Sequence, residues 1–409
     1  MKYIKRSIES TLKNRVTNSK CLLLTGARQV GKSTILKKIY DGYSYVSLDD
    51  EEQRRQIVED ANLFFKNNKP PIIIDEVQKQ PSIFEKIKLL VDESEKRGNF
   101  VLSGSQKLHL LKNVSESLAG RISILNLSTL SMRECLNINF DKYFIPTEKY
   151  IKEREKKIVK IDDVWDYIHR GMYPELHSTK RNWEDFYSSY VNTYIERDIN
   201  SLINVDSVVF LKFLIALAAR TGEMLNYRNL ASSVGVSEPT IKVWVSILER
   251  TDIIYLLEAY SPSALTRAIK TPKVYFKDTG LVCYLTKWSS KETLKVSAVN
   301  GNLFETFVVS EIIKSFANVG KDYRFNLFYY RGKDKNIYDN EIDLIIEENG
   351  VLYPIEIKMT ATPKKDSTQA FDILDRIEDK KRGIGVILCQ CDKKIYLRDN
   401  LIALPIEYI

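Results

Sequence analysis

Residues 26–33, Gly26-Ala-Arg-Gln-Val-Gly31-Lys32-Ser33, constrain this chain more than any other stretch. The spacing G-x-x-x-x-G-K-[ST] lets the backbone curl so that successive N–H groups point inward at phosphate oxygens. Lys32 then reaches the β- and γ-phosphates as a point charge, and the Ser33 hydroxyl stands where it can ligate Mg²⁺. A glycine-punctuated surface turn would need no particular flanks, but here both flanks fit. Cys21-Leu-Leu-Leu-Thr25 reads as a short buried strand and Ser33–Tyr40 as a helix, which places the anion at a helix N-terminus. Gly26, Gly31, Lys32, Ser33 and Thr34 are the expected nucleotide contacts, with ATP and Mg²⁺ as the expected cofactors.

A second motif agrees with the first. Pro70-Pro71-Ile72-Ile73-Ile74-Asp75-Glu76 is an apolar run ending in two acids, the pattern of a buried parallel strand that delivers carboxylates to its C-terminal edge. Asp75 is expected to hold Mg²⁺ through water, and Glu76 to orient and deprotonate the attacking water. A further short strand, Asn99-Phe-Val-Leu-Ser-Gly-Ser105, ends in hydroxyls, so Ser103 or Ser105 is the candidate sensor of the γ-phosphate. ATP hydrolysis is the activity these motifs imply.

At 409 residues the chain exceeds one ordinary core, so two or three domains are expected. No stretch approaches the roughly 18 apolar residues of a membrane span, and Met-Lys-Tyr-Ile-Lys-Arg at the start lacks an apolar signal region. Membrane association is not expected. The five cysteines, Cys21, Cys135, Cys283, Cys389 and Cys391, lack zinc-site spacing and read as reduced thiols of a cytoplasmic protein. A net charge of +8 is mild and dispersed, and it permits nucleic-acid contact without arguing strongly for it.

Strand–helix alternation over residues 1–136 reads as an α/β nucleotide-binding domain with a parallel sheet. Residues 137–222 read as a connector and helical segment. Within it, Lys149–Asp163 is a charged stretch expected to be a solvated helix face, whereas Phe186, Tyr190 and Tyr194 fall on one helical stripe expected to be core. Residues 223–262 have the layout of a winged helix-turn-helix. Tyr227–Val234 forms its first helix, Gly235 the turn, Ser237 with Pro239 the start of the second helix, and Ile253–Tyr260 a wing strand. Thr240 and Lys242 are placed where they could face a groove of DNA, although the helix is not strongly basic and such modules also serve as plain packing units. Residues 263–299 read as a connector and 300–409 as a further domain.

That last domain holds a second constellation. Asn349-Gly350 is the preferred two-residue type I′ turn. Folding there pairs Glu348 with Val351, Asp343 with Glu356 and Glu341 with Lys358. Alternation sends Ile342, Leu344, Ile346, Val351, Tyr353, Ile355 and Ile357 to one face, and Asp343, Glu356 and Lys358 to the other. Opposed carboxylates lie about 4.5–5.5 Å apart at Cβ and repel. A divalent cation between Asp343 and Glu356 would relieve that repulsion, with Lys358 beside it to orient water or steady phosphate charge; alternatively Lys358 simply neutralises a solvated hairpin.

Across essentially its whole length, the chain resembles the bacterial and archaeal AAA+-type ATPases that carry a winged helix and a C-terminal domain similar to PD-(D/E)XK nucleases. The residues that carry the resemblance are the phosphate loop, Ile74-Asp75-Glu76, Ser117-Leu-Ala-Gly-Arg121, Gly171-Met-Tyr-Pro-Glu175, Tyr194-Ile-Glu-Arg-Asp198, Lys273–Leu281, Gly301-Asn-Leu-Phe-Glu305 and the set Asp343, Glu356 and Lys358. The resemblance implies that Arg121 is an arginine finger reaching the nucleotide of a neighbouring subunit in a homo-oligomer. It also implies that Glu305 is an extra acid of a nuclease-like site. One departure is the sensor, where such ATPases usually place Asn or Thr. Two function classes follow: an ATP-driven nuclease or remodeller of DNA or RNA, and a nucleotide-gated switch or scaffold whose tail binds a partner without cleaving it.

Overall fold

The computed structural model describes residues 2–104, 117–194, 199, 203, 205–332 and 341–409. Five apolar runs, Cys21–Thr25 (β1), Ser44–Ser47 (β2), Ile72–Asp75 (β3), Phe100–Ser103 (β4) and Ile122–Asn126 (β5), form a parallel sheet in the order β2-β3-β4-β1-β5. Every residue of β1, β3 and β4 is buried, because helices cover both faces. Leu22, Leu24, Ile73 and Val101 pack on Leu12, Val16, Ile35 and Leu36, from the helices Glu9–Asn18 and Lys32–Ile39. Leu23, Ile72, Ile74 and Leu102 pack on Phe64, Phe84 and Ile87, from the helices Glu51–Asn67 and Ile83–Asp92. Since β4 lies between β1 and β3, the phosphate loop and the acidic strand end flank the end of β4 on the same sheet edge.

The middle of the chain is mainly helical. Phe186, Tyr190 and Tyr194 are buried, and successive rings of the stripe stack at 6.2 and 6.1 Å. The charged stretch Lys149–Asp163 departs from the solvated face expected of it. Its helix, Glu148–Glu155, buries Tyr150, Ile151 and Arg154. The Arg154 guanidinium lies over the Phe140 ring and donates to the Lys157 carbonyl, so its charge is solvated by π-face and backbone rather than by water.

Helices Tyr227–Val234 and Glu238–Arg250 follow, with Gly235 at φ 85° between them and the Ser237 hydroxyl accepting from Thr240 N. Trp244 packs edge-on against Phe210 of the helix Ser207–Ala218. Ile254–Leu257 (β6) then pairs antiparallel with Lys273–Phe276 (β7), a strand inside the stretch read as connector.

The tail is a long, almost wholly buried helix, Asn300–Asn318, packed on a mixed sheet. Its strands are Leu327–Arg331 (β8), Glu341–Glu348 (β9), Val351–Ile357 (β10), Lys381–Arg382 (β11), Gly385–Cys389 (β12), Ile395–Arg398 (β13) and Leu401–Pro405 (β14). The order is β13-β14-β12-β10-β9-β8, with β11 beside β10. Asn349 and Gly350 both have positive φ, and Glu348 pairs with Val351. One side chain leaves the expected face. The β8–β9 register shifts between Phe328 and Tyr330, and this bulge turns Ile342 away from Leu344 to pack with Ile345 and Phe328. Both faces of the hairpin are buried, Leu344, Ile346 and Ile355 in the main core and Ile345 and Leu352 in a second.

Candidate nucleotide cleft and carboxylate site

The phosphate loop closes tightly. Gly26 sits at φ 146°, and a Cβ there would lie 2.3 Å from the Leu127 carbonyl oxygen, so only glycine fits. The Lys32 side chain is buried and donates from Nζ to the Gly26 and Ala27 carbonyls at 3.0 and 2.7 Å. Burial holds its pKa below the usual lysine range, partly offset by the charges of Glu76 and Asp75. Asp75 is buried at the end of β3. It accepts from the Tyr45 hydroxyl at 2.7 Å, from the Ser103 hydroxyl and from Glu76 N at 3.1 Å, and the Ser33 hydroxyl also reaches it. Burial pushes its pKa up, but these donors outweigh burial and hold it below the usual carboxylate range. Ser33, Asp75 and Ser103 thus form one hydrogen-bonded unit. Glu76 takes a left-handed backbone conformation, φ 53°, and the Gln78 amide donates to its carboxylate. Ser105 lies outside the described residues.

A cleft of about 530 Å³ opens over the loop, lined by Arg28, Gly31, Lys32, Ser33, Thr34 and Glu76. Its far wall is Pro174, Glu175, Ser178 and Thr193, contributed by the helical middle. A knot of close contacts holds this roof. Gly171 has φ 76° and ψ −179°, and a Cβ there would meet the Tyr187 hydroxyl at 2.0 Å. Tyr187 donates to Asp278 Oδ1 at 2.5 Å, and Met172 N donates to Asp278 Oδ2 at 2.7 Å. Met172 O accepts from Leu130 N at 2.8 Å. Buried Arg6 fastens the other side, donating to Val30 O at 2.9 Å and Ser128 O at 2.7 Å. The motifs around Gly171 and Asp278 carried no assigned role in the sequence; their packing on the loop gives them one.

The tail brings together the remaining sequence candidates. Asp343 and Glu356 are buried; Asp343 Oδ2 accepts from Ile357 N at 2.8 Å, and Glu356 Oε1 pairs with Lys358 Nζ at 2.6 Å. Among the described residues, Glu356 Oε2 is buried with no hydrogen-bond partner. Glu305 Oε1 accepts from Lys273 Nζ at 3.1 Å and the Tyr275 hydroxyl at 2.6 Å. Burial first, and Asp343 second, push Glu305 up to about 7 and Glu356 up to about 8. Burial likewise raises Asp343. Such shifts are the electrostatic mark of crowded carboxylates short of positive charge. Among the described residues, no group of three or more His, Cys, Asp or Glu is placed to hold a metal ion. Asp343 and Glu356 are hard oxygen ligands of the kind a divalent cation takes, and the partnerless Glu356 Oε2 is an oxygen such an ion could use.

Residues 18–136 match a family described as AAA domain. The N-terminal unit is an AAA-type P-loop ATPase domain. Residues 161–292 and 300–409 match two further families, Domain of unknown function (DUF8612) and Domain of unknown function (DUF4143). Uncharacterized protein Rv2008c of Mycobacterium tuberculosis and uncharacterized protein Mb2031c of Mycobacterium bovis are each 24% identical over 412 residues, covering 99% of this chain and 84% of theirs. Among solved structures, the Walker-type ATPase PABY2304 of Pyrococcus abyssi aligns with TM-score 0.45 and 13% identity, over 69% of this chain and 96% of that one.

Within the ATPase domain, Arg121 stands apart from the cleft. It directly precedes β5, whose Ile122 pairs with Cys21 and whose Asn126 pairs with Thr25 beside the loop. Five residues of strand, about 16 Å, separate it from the nucleotide edge of its own sheet. It is partly exposed and pairs with Asp92 at 2.5 and 3.0 Å. Among the described residues no helix is long and apolar enough to cross a membrane, and all five cysteines are free thiols.

Proposed function

We propose that this chain is a Mg²⁺-dependent ATPase of the AAA+ type that couples nucleotide turnover to DNA or RNA through a winged helix and a PD-(D/E)XK-like tail. The observation that carries the ATPase is Asp75, kept ionised by Ser33, Ser103 and Tyr45 hydroxyls beside Lys32. Mg²⁺ would be held by Ser33 and, through water, by Asp75, while Lys32 leaves the loop carbonyls for the phosphates. Glu76 lines the same cleft and takes the proton of the attacking water. Arg121, remote from its own cleft, acts on the nucleotide of a neighbouring copy in a homo-oligomer.

Support for the coupling comes from the helix pair around Gly235 followed by the β6–β7 hairpin, and from the tail carboxylates. A divalent cation held by Asp343 and Glu356 would supply Lewis-acid chemistry there, with Lys358 beside it and Glu305 as the further acid. A second reading, a nucleotide-gated switch whose tail binds a partner without cleaving, is favoured by the Lys358–Glu356 ion pair, which already neutralises one ligand.

The test is ATP turnover of the full chain with Mg²⁺. Lys32→Ala should lose nucleotide binding, and Glu76→Gln should bind ATP but not hydrolyse it. Wild-type turnover by Glu76→Gln refutes the assignment of the base. Cleavage of plasmid DNA and structured RNA in Mn²⁺, abolished by Asp343→Asn, separates the nuclease from the switch.

A further inference from the structure

Lys273 has no place in the tail's own motif, yet it enters the carboxylate cluster from outside. It opens β7, a strand paired with β6, and its side chain is only 5% exposed. Its Nζ lies 3.1 Å from Glu305 Oε1 and 2.6 Å from Glu341 Oε1, with the Tyr329 ring 5.6 Å away. Tyr275, two residues on, holds the same Glu305 oxygen at 2.6 Å. Removing an ammonium of this kind from water is costly, and the cluster repays that cost only while its carboxylates need positive charge.

The charges can be counted from these contacts. Among the described residues, Glu305, Glu341, Asp343 and Glu356 bring four carboxylates, and Lys273 and Lys358 bring two ammonium groups. Arg331 reaches the second oxygen of Glu341 only at 3.9 Å and is more than half exposed, so water screens it. Among the described residues the set is therefore short of cation charge while both lysines are in place, Lys273, Asp343 and Glu356 being buried and Lys358 exposed. Without Lys273 the shortage grows by one charge at a site where effective dielectric is low.

We infer that Lys273 is a built-in counter-cation of the tail site, which neutralises Glu305 and Glu341 when no metal is bound and so weakens the grip of Asp343 and Glu356 on a divalent cation. This rests on the reading of Asp343 and Glu356 as a divalent-cation site. Lys273 is a positioning residue: it sets where Glu305 points and how much charge a metal must bring. Because β7 belongs to the hairpin next to the helix-turn-helix, the tail site is completed by a residue from outside the tail.

Thermal melting of the full chain without nucleotide, titrated with Mn²⁺, tests this. The part of the Mn²⁺-induced shift that Asp343→Asn abolishes belongs to the tail. Lys273→Met should melt earlier than wild type without metal and bind Mn²⁺ with an apparent Kd about tenfold tighter or more. Lys273→Arg, which keeps the charge, should stay near the wild-type Kd. A tail-specific shift present only in Lys273→Met also supports the inference. If wild type shows the tail-specific shift and Lys273→Met has the same Kd, or Lys273→Arg behaves as Met does, Lys273 is a packing residue and the inference falls while the metal site stands. If neither wild type nor Lys273→Met shows such a shift, the metal site falls and the inference with it. Should Lys273→Met fail to fold unaided, refolding in Mn²⁺ decides: recovery supports the counter-cation, and no recovery overturns it.

Discussion

Gly171→Ala probes the roof of the nucleotide cleft most directly. At φ 76° and ψ −179° the backbone is in a region that only glycine adopts freely, and alanine there costs about 1–3 kcal/mol. The new Cβ would lie 2.0 Å from the Tyr187 hydroxyl and 2.6 Å from Asp278 Oδ1, so the Tyr187–Asp278 hydrogen bond must break. A hydrogen bond to a charged group contributes about 1.5–3 kcal/mol. The two terms together reach about 2.5–6 kcal/mol, and with about 2.1 cal/mol/K of unfolding entropy per residue over 409 residues, or about 1.2 °C per kcal/mol, the melting point should fall by about 3–7 °C. Trp183, whose ring is 5.7 Å from Tyr187, reports the transition by fluorescence. Tyr187→Phe removes the hydroxyl in advance, so Gly171→Ala in that background should cost about 1.5–3 kcal/mol less. The affinity for ATP should fall with the single glycine change, since Pro174 and Glu175 follow Met172 out of position. Equal costs in the two backgrounds, within about 0.5 kcal/mol, would refute the knot.

Three further outcomes are expected. Ser103→Ala takes one donor from Asp75, and turnover should fall about tenfold with little change in ATP binding; an unchanged kcat removes Ser103 from the site. Turnover per chain should rise with protein concentration, and mixing Arg121→Ala with Lys32→Ala should restore part of the activity; no complementation, with a monomeric mass, assigns Arg121 to its own chain or to the Asp92 pair alone. Asp343→Asn should raise the metal-free melting point slightly, because it relieves repulsion with Glu356 and Glu305, while Mn²⁺ no longer stabilises the tail; a lower melting point would mean that the Ile357 N contact outweighs the repulsion.

The local chemistry of this chain was legible in its sequence wherever the signal is short-range. Glycine spacing alone set the tight phosphate loop, because a Cβ at residue 26 has nowhere to go. The apolar runs became buried parallel strands, Ser237 capped its helix, and the Asn349-Gly350 turn set the Glu348–Val351 pairing through backbone conformations few other residues adopt. Tertiary structure decided what depends on distant partners. The bulge that redirects Ile342 arises from pairing with β8 and leaves no trace in the alternation of β9 itself. Buried Arg154 read as surface charge, because its solvating groups, Phe140 and the Lys157 carbonyl, are brought to it by the fold. The same holds for the roof of the cleft and for Lys273, which meet their partners across 100 residues or more in one case and about 30 in the other. Sequence patterns record the conformation each segment prefers; which side chains share a site is settled only when packing brings remote segments into contact.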